Sequence, residues 1–192
     1  SSETLLIEGD PDLKYLQEIS ERYGSKEFLI LTYTPNEGMI SDTSINNLLS
    51  LKYKIQSLNW VHSVITLLDI PLLNSSDATL QERLENFKTL KDEDVDRSRG
   101  FNEIKSSPVF RNFVISEDGK TSGIIVNIKK NKELENLKNK SKQEIENYKD
   151  LIKERNHQNI LEIRDVIKSY EDIGKIHLGG IPMIADDMMS FI

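Results

Sequence analysis

Phe28-Leu29-Ile30-Leu31-Thr32-Tyr33 is an unbroken run of strand-favouring residues without polar–apolar alternation. A strand with one solvated face alternates, because successive side chains point to opposite faces. The run therefore predicts a central strand buried on both faces, and the other elements must be arranged around it. Pro35 to Gly38 reads as a turn, and Ser41 or Asp42 as the cap of a helix carrying Ile45, Leu48, Leu49, Lys52, Ile55 and Leu58. Val61 to Leu68 follows as a strand that stops at Asp69-Ile70-Pro71. Strand, helix and strand in this compass predict a βαβ unit with a right-handed crossover.

Upstream, Asp10-Pro11-Asp12 is a helix start, Leu13, Leu16, Ile19 and Tyr23 recur at helical spacing, and Gly24 is a stop. Downstream, residues 72–108 read as a helical insertion. Ser75-Ser76-Asp77 caps one helix through Leu80, Leu84 and Phe87, and a second short helix lies near Phe101 and Ile104. Phe110 to Ser116 and Thr121 to Ile128 flank Glu117-Asp118-Gly119-Lys120, a hairpin signal because Gly119 tolerates the positive φ of a tight turn. Asn131 opens a long charged helical segment through Leu134, Leu137, Ile145, Tyr148 and Ile152. The polar Asn156-His157-Gln158-Asn159 reads as a joint before a second helix with Ile160, Ile163, Val166, Ile167 and Tyr170, ended by Gly174. Ile176-His177-Leu178 is a last strand, and Met188, Met189 and Ile192 begin another helix. The order predicts one α+β domain over residues 1–192, two-layered, with a mixed ferredoxin-like sheet.

The chain holds 192 residues, and a domain of that size hides roughly 70% of its unfolded surface. A net charge of -7 argues against a nucleic-acid partner, which needs concentrated positive charge. Lys129, Lys130, Lys132, Lys138, Lys140 and Lys142 are interleaved with Glu133, Glu135, Glu144 and Glu146, the pattern of a solvated helix face. The absence of cysteine excludes disulfides, thiolate chemistry and cysteine-ligated zinc. No apolar run approaches the ~20 residues of a membrane helix, and no signal peptide opens the sequence. Taken alone this suggests a cytosolic protein; in a piece of a longer chain, it says only that the membrane parts lie elsewhere.

Asp92, Asp94, Asp96 and Glu103 occupy positions one, three, five and twelve of a calcium-loop pattern. Arg97 stands where the loop needs glycine for its sharp turn, and Arg99 adds a second positive charge, so an acidic stretch capping a short helix is the better reading. His62, His157 and His177 show no metal-ligand spacing and no partner nucleophile. No cofactor, metal or catalytic residue is expected, and the chain does not read as an enzyme. Gly179-Gly180 reads as a tight turn out of the last strand and, with Asn156 and His157, as a candidate hinge. Asp186-Asp187 complement a helix dipole. The Met183, Met188 and Met189 group reads as a pliable surface, a membrane-proximal one or core packing. Trp60 reads as a core or edge anchor, or as the lining of a cleft.

Asp10-Pro11-Asp12-Leu13-Lys14-Tyr15-Leu16, Tyr23-Gly24-Ser25-Lys26-Glu27 and the strand Phe28 to Tyr33 resemble the segment after the first membrane helix of RND-superfamily exporters. Leu58 to Val64 and Asp69-Ile70-Pro71-Leu72-Leu73 continue the resemblance. So do Ser107-Pro108 with Phe113 to Thr121, then Glu162-Ile163-Arg164 and Ile176 to Pro182. These matches run in order along nearly the whole chain, and the branch they resemble is the MMPL-like and hopanoid-exporter-like group related to Patched. Asn59-Trp60 departs from that group's glycine-containing turn, and residues 75–102 are unusually acidic.

The resemblance implies an extracytoplasmic (periplasmic) porter domain between membrane helices one and two of a proton-driven efflux transporter. It would handle hydrophobic or amphipathic small molecules or lipids by opening and closing a cleft. Its partners would be the remainder of the parent transporter, namely the membrane helices and a second porter domain; the proton-relay carboxylates would lie in those helices. The alternative is a free-standing α/β binding or scaffolding protein that offers the charged helix 131–155 to a partner helix.

Overall fold

The computed structural model describes residues 28–74, 79, 86–111, 114–130 and 140–179. In chain order these form β1 (Phe28–Pro35), α1 (Asp42–Gln56), β2 (Val61–Ile65), a 3-10 turn (Leu67–Asp69) and α2 (Arg97–Ser106). β3 (Ser122–Ile128), α3 (Lys142–Ser169), a second 3-10 turn (Glu171–Ile173) and β4 (Gly174–Leu178) complete them. The architecture is α+β. The expected helix at 10–24, the one at 75–87 and the closing helix at 183–192 fall wholly or mainly outside the described residues.

The sheet runs β2-β3-β1-β4 and every neighbouring pair is antiparallel. That corrects the expected mixed sheet. β1 and β2 run parallel, as a βαβ unit requires, but β3 lies between them, and β1 in turn lies between β3 and β4. The reason is burial: Ser122 to Val126 of β3 are all buried, and such a segment must sit inside a sheet, not at its edge.

β1 is interior, as its composition demands. Leu31 and Tyr33 are fully buried on the face that also carries Ile124 and Val126, opposite Leu31 and Leu29. The Tyr33 hydroxyl donates to the Ser44 carbonyl of α1 at 3.2 Å, so this face lies under α1. On the other face Thr32 and Ile125 are buried, while Phe28, Ile30 and Ile65 are half-buried.

α1 starts where expected: the Ser41 side chain accepts from the Ser44 N–H at 3.1 Å and Asp42 complements the positive helix end. Ile45, Leu48, Leu51 and Ile55 form its buried stripe at helical spacing. Lys52, expected on that stripe, instead points to Asp69 at 2.5 Å. The strand expected to reach Leu68 stops at Ile65. There Thr66 and Asp69 close a reciprocal capping box that turns the chain into 3-10 geometry.

The short helix near Phe101 and Ile104 is α2, capped by Asp96. The expected hairpin keeps its turn, with Gly119 at φ 72 and Ser116 N–H donating to the Thr121 carbonyl at 2.8 Å. Its first arm is reduced to bridges at Arg111 and Ile115. Leu72, Leu90, Ile104, Val109, Phe110, Val114 and Ile115, between β2 and β3, belong to the same buried cluster as the sheet.

α3 is one continuous helix from Lys142 to Ser169, capped by Ser141. It passes straight through Asn156-His157-Gln158-Asn159, so the expected joint is absent. These residues are poor helix formers by only about 0.7 kcal/mol each at most, and none is Gly or Pro. Gln158 also bonds back to Glu154 one turn earlier, at 3.1 Å. The expected start at Asn131 lies outside the described residues.

Candidate functional site

One end of the sheet gathers the features that bear on function. β1 begins there at Phe28 and β4 ends there at Leu178, because the two strands are antiparallel neighbours. Gly179 adds one further rung: its N–H donates to the Ile30 carbonyl at 2.8 Å. Its φ of 120 suits glycine, and a Cβ there would meet nothing within 4 Å. Gly179 is thus an extension of the ladder; Gly180, the other half of the expected hinge, is outside the described residues.

β3 ends and β2 begins at the same end. Trp60 precedes β2 and continues its ladder, its carbonyl accepting from the Lys129 N–H at 2.9 Å. The indole is half-buried against the core, and its Nε1–H donates to Glu162 Oε2 of α3 at 2.7 Å. The contact with Glu162 is what an edge anchor makes, and the half-buried ring keeps an exposed side as well. Its partner was not singled out from the sequence as a contact, since 102 residues separate the two. One turn beyond Ile163 and Val166, the buried residues of α3, Tyr170 shares a hydrogen bond of 2.8 Å with Ser50 of α1.

The direction of α3 follows. Glu162 touches the C-terminal side of α1 through Trp60, Tyr170 touches its middle, and the chain then enters β4 at Gly174, opposite Pro35 at the far end of the sheet. Residues Lys142 to Leu161 therefore extend past the near end, about 30 Å at helical rise. Asn156 and His157 are exposed on this projecting stretch, as are Leu151 and Leu161. Ile145, Tyr148 and Ile152 are half-buried.

The acidic residues are engaged one by one. Asp92 accepts from the Thr89 N–H at 2.8 Å, and Asp94 pairs with Lys88 at 3.0 Å, which holds its carboxyl below the usual range and the lysine above its own. Asp96 caps α2, and Glu103 accepts from the N–H groups of Leu73 and Asn74 at 3.0 and 2.7 Å. The pattern Asp92, Asp94, Asp96, Glu103 is thus dispersed into capping and loop contacts, because a helix begins at Arg97 where the ion-binding turn would have to form. Among the described residues, no group of three or more His, Asp or Glu is placed to hold a metal ion.

His62 and His177 lie on β2 and β4 with exposed side chains, and His157 is exposed on α3. Lys129, Lys130, Lys140 and Lys142 are exposed; Lys132, Lys138, Asp186, Asp187 and the methionines at 183, 188 and 189 lie outside the described residues. Among the described residues no helix is long and apolar enough to cross a membrane. Comparison with protein-family models, curated proteins and solved structures finds no match for this chain.

Proposed function

We propose that this chain is an extracytoplasmic porter domain of a proton-driven RND-type exporter, a non-enzymatic module that handles a hydrophobic or amphipathic substrate beside the membrane helices and second porter domain of its parent. One observation carries the reading: the first and last described strands are neighbours whose free ends meet at Ile30 and Gly179, 2.8 Å apart. A domain set between two membrane helices has to take its chain in and hand it back at one end. With α2 set aside as part of the segment between β2 and β3, the order β-α-β-β-α-β and the sheet order 2-3-1-4 are compatible with the ferredoxin-like unit that the sequence resemblance implies. Sequencing the surrounding reading frame tests this. The proposal requires an apolar span of ~20 residues on each side of residues 1–192. A frame that closes without them overturns it.

The projecting half of α3 favours a second reading, a free-standing scaffold that offers this helix to a partner. Leu151 and Leu161 are 45% and 43% exposed on it, apolar surface that a partner helix could cover. The same reading-frame experiment separates the two, because a scaffold needs no flanking span.

A further inference from the structure

β4 is an edge strand, paired with β1 on one side only among the described residues. The parity of its ladder fixes where its backbone groups point. The Gly179 N–H donates to the Ile30 carbonyl at 2.8 Å, and the Asn36 N–H donates to the Ile173 carbonyl at 3.3 Å. Ile173, Lys175, His177 and Gly179 therefore turn their N–H and C=O groups toward β1, and Gly174, Ile176 and Leu178 turn theirs outward. Ile176 is only 7% exposed, yet among the described residues no hydrogen bond reaches its outward N–H and C=O. Backbone groups on so covered a residue are nearly always paired. The register over Gly174–Leu178 is unbroken and holds no proline, whereas the opposite edge strand, β2, has an irregularity between Val61 and Ser63. Such irregularities twist an edge away from pairing. The regular edge is thus the one able to take a further strand.

We propose that this edge is an interface with a second copy of the chain: β4 pairs antiparallel with β4 of the other copy about a two-fold axis at Ile176, joining two four-stranded sheets into one. The sequence of the strand, Gly-Lys-Ile-His-Leu, supports that occupant. A two-fold axis at Ile176 sets Ile176 against its own copy and Gly174 against Leu178. All three carry outward backbone groups, so every rung can form. Ile176 and Leu178 then continue the apolar face that carries Tyr33 and Leu31, their partners on β1. On the other face the exposed Lys175 lies opposite His177, not opposite a second lysine. The pairing closes at a dimer, because the interface is self-complementary and the irregular β2 edge takes no part in it. The claim rests on the strands alone and holds under either reading of function.

The cysteine-free chain allows a test specific to this register. Lys175→Cys and His177→Cys change exposed side chains and leave the core alone. In the proposed dimer, positions 175 and 177 of opposite copies face each other with Cα atoms about 4.5 Å apart, within reach of a disulfide. Two copies of position 175 stand diagonally, about 7–8 Å apart, which is beyond that reach. An equimolar mixture of the two single-cysteine variants, left to exchange and then oxidised with copper phenanthroline, is expected to link about half of its dimers, the heterodimer share of random exchange. Each variant alone is expected to link severalfold less. Sedimentation equilibrium of the unsubstituted 192-residue chain at the same concentration is expected to give a dimer. A monomer there overturns the proposal. So does a dimer whose mixed variants fail to link, or linking by either variant alone as efficient as by the mixture, since the copies would then meet through another surface.

Discussion

Tyr33 and Ser122 face each other across the β1–β3 ladder, and they carry opposite consequences of burial. The Tyr33 hydroxyl donates to the Ser44 carbonyl, and burial pushes the phenol up from its ordinary value of 10.0. A raised folded-state value means the protonated form is preferred in the fold. Its contribution is complete below the ordinary phenol range and is lost as pH rises through the raised value. Thermal unfolding followed across alkaline pH is expected to hold steady to about pH 10 and then to fall. Tyr33→Phe removes this component of the alkaline fall while costing about 1 kcal/mol below it. Ser122 has a fully buried hydroxyl without a hydrogen-bond partner among the described residues. Leaving such a group unmade costs about 1–3 kcal/mol, so Ser122→Ala is expected to leave the urea midpoint unchanged or raise it. A fall of more than about 1 kcal/mol would mean that the hydroxyl has a partner after all.

At the scale of elements, what could be read in advance was local. The Ser41 cap, the buried stripe of α1, the apolar run of β1 and the positive-φ glycine at 119 each depend on residues a few positions apart. The position of β3 was not legible, because strand order is decided by pairing across the whole chain: Phe28 meets Asn127, and Leu31 meets both Ile124 and Leu178. The Trp60–Glu162 tie was hidden for the same reason. The supposed joint at 156–159 shows a different failure. Polar residues weaken a helix only slightly, and good helix formers on both sides carry it through. Asn156→Pro discriminates the two descriptions. In a continuous helix it costs about 3 kcal/mol locally and lowers the helical circular-dichroism signal. At a true joint it would change little.

For the whole molecule, the sheet, α1 and the segment between β2 and β3 share one buried cluster, whereas α3 stands on it with two buried residues and projects beyond it. The candidate site is therefore an end of the fold. At that end β1 begins beside the end of β4, Trp60 extends the β2–β3 ladder, and Glu162 of α3 meets Trp60. The exporter assignment proposed above draws on the paired strand ends of β1 and β4. That proposal puts the domain outside the cytoplasm, and the cysteine-free chain makes the compartment directly measurable. Tyr53 on α1 is 60% exposed and outside the tie with α3, so a thiol placed there by Tyr53→Cys is accessible without disturbing the core. In intact cells carrying the complete gene product, with other cysteines removed, a membrane-impermeant maleimide is expected to label this position as fully as after lysis. Labelling that appears only after the membrane is broken would place the domain inside the cell and contradict the account.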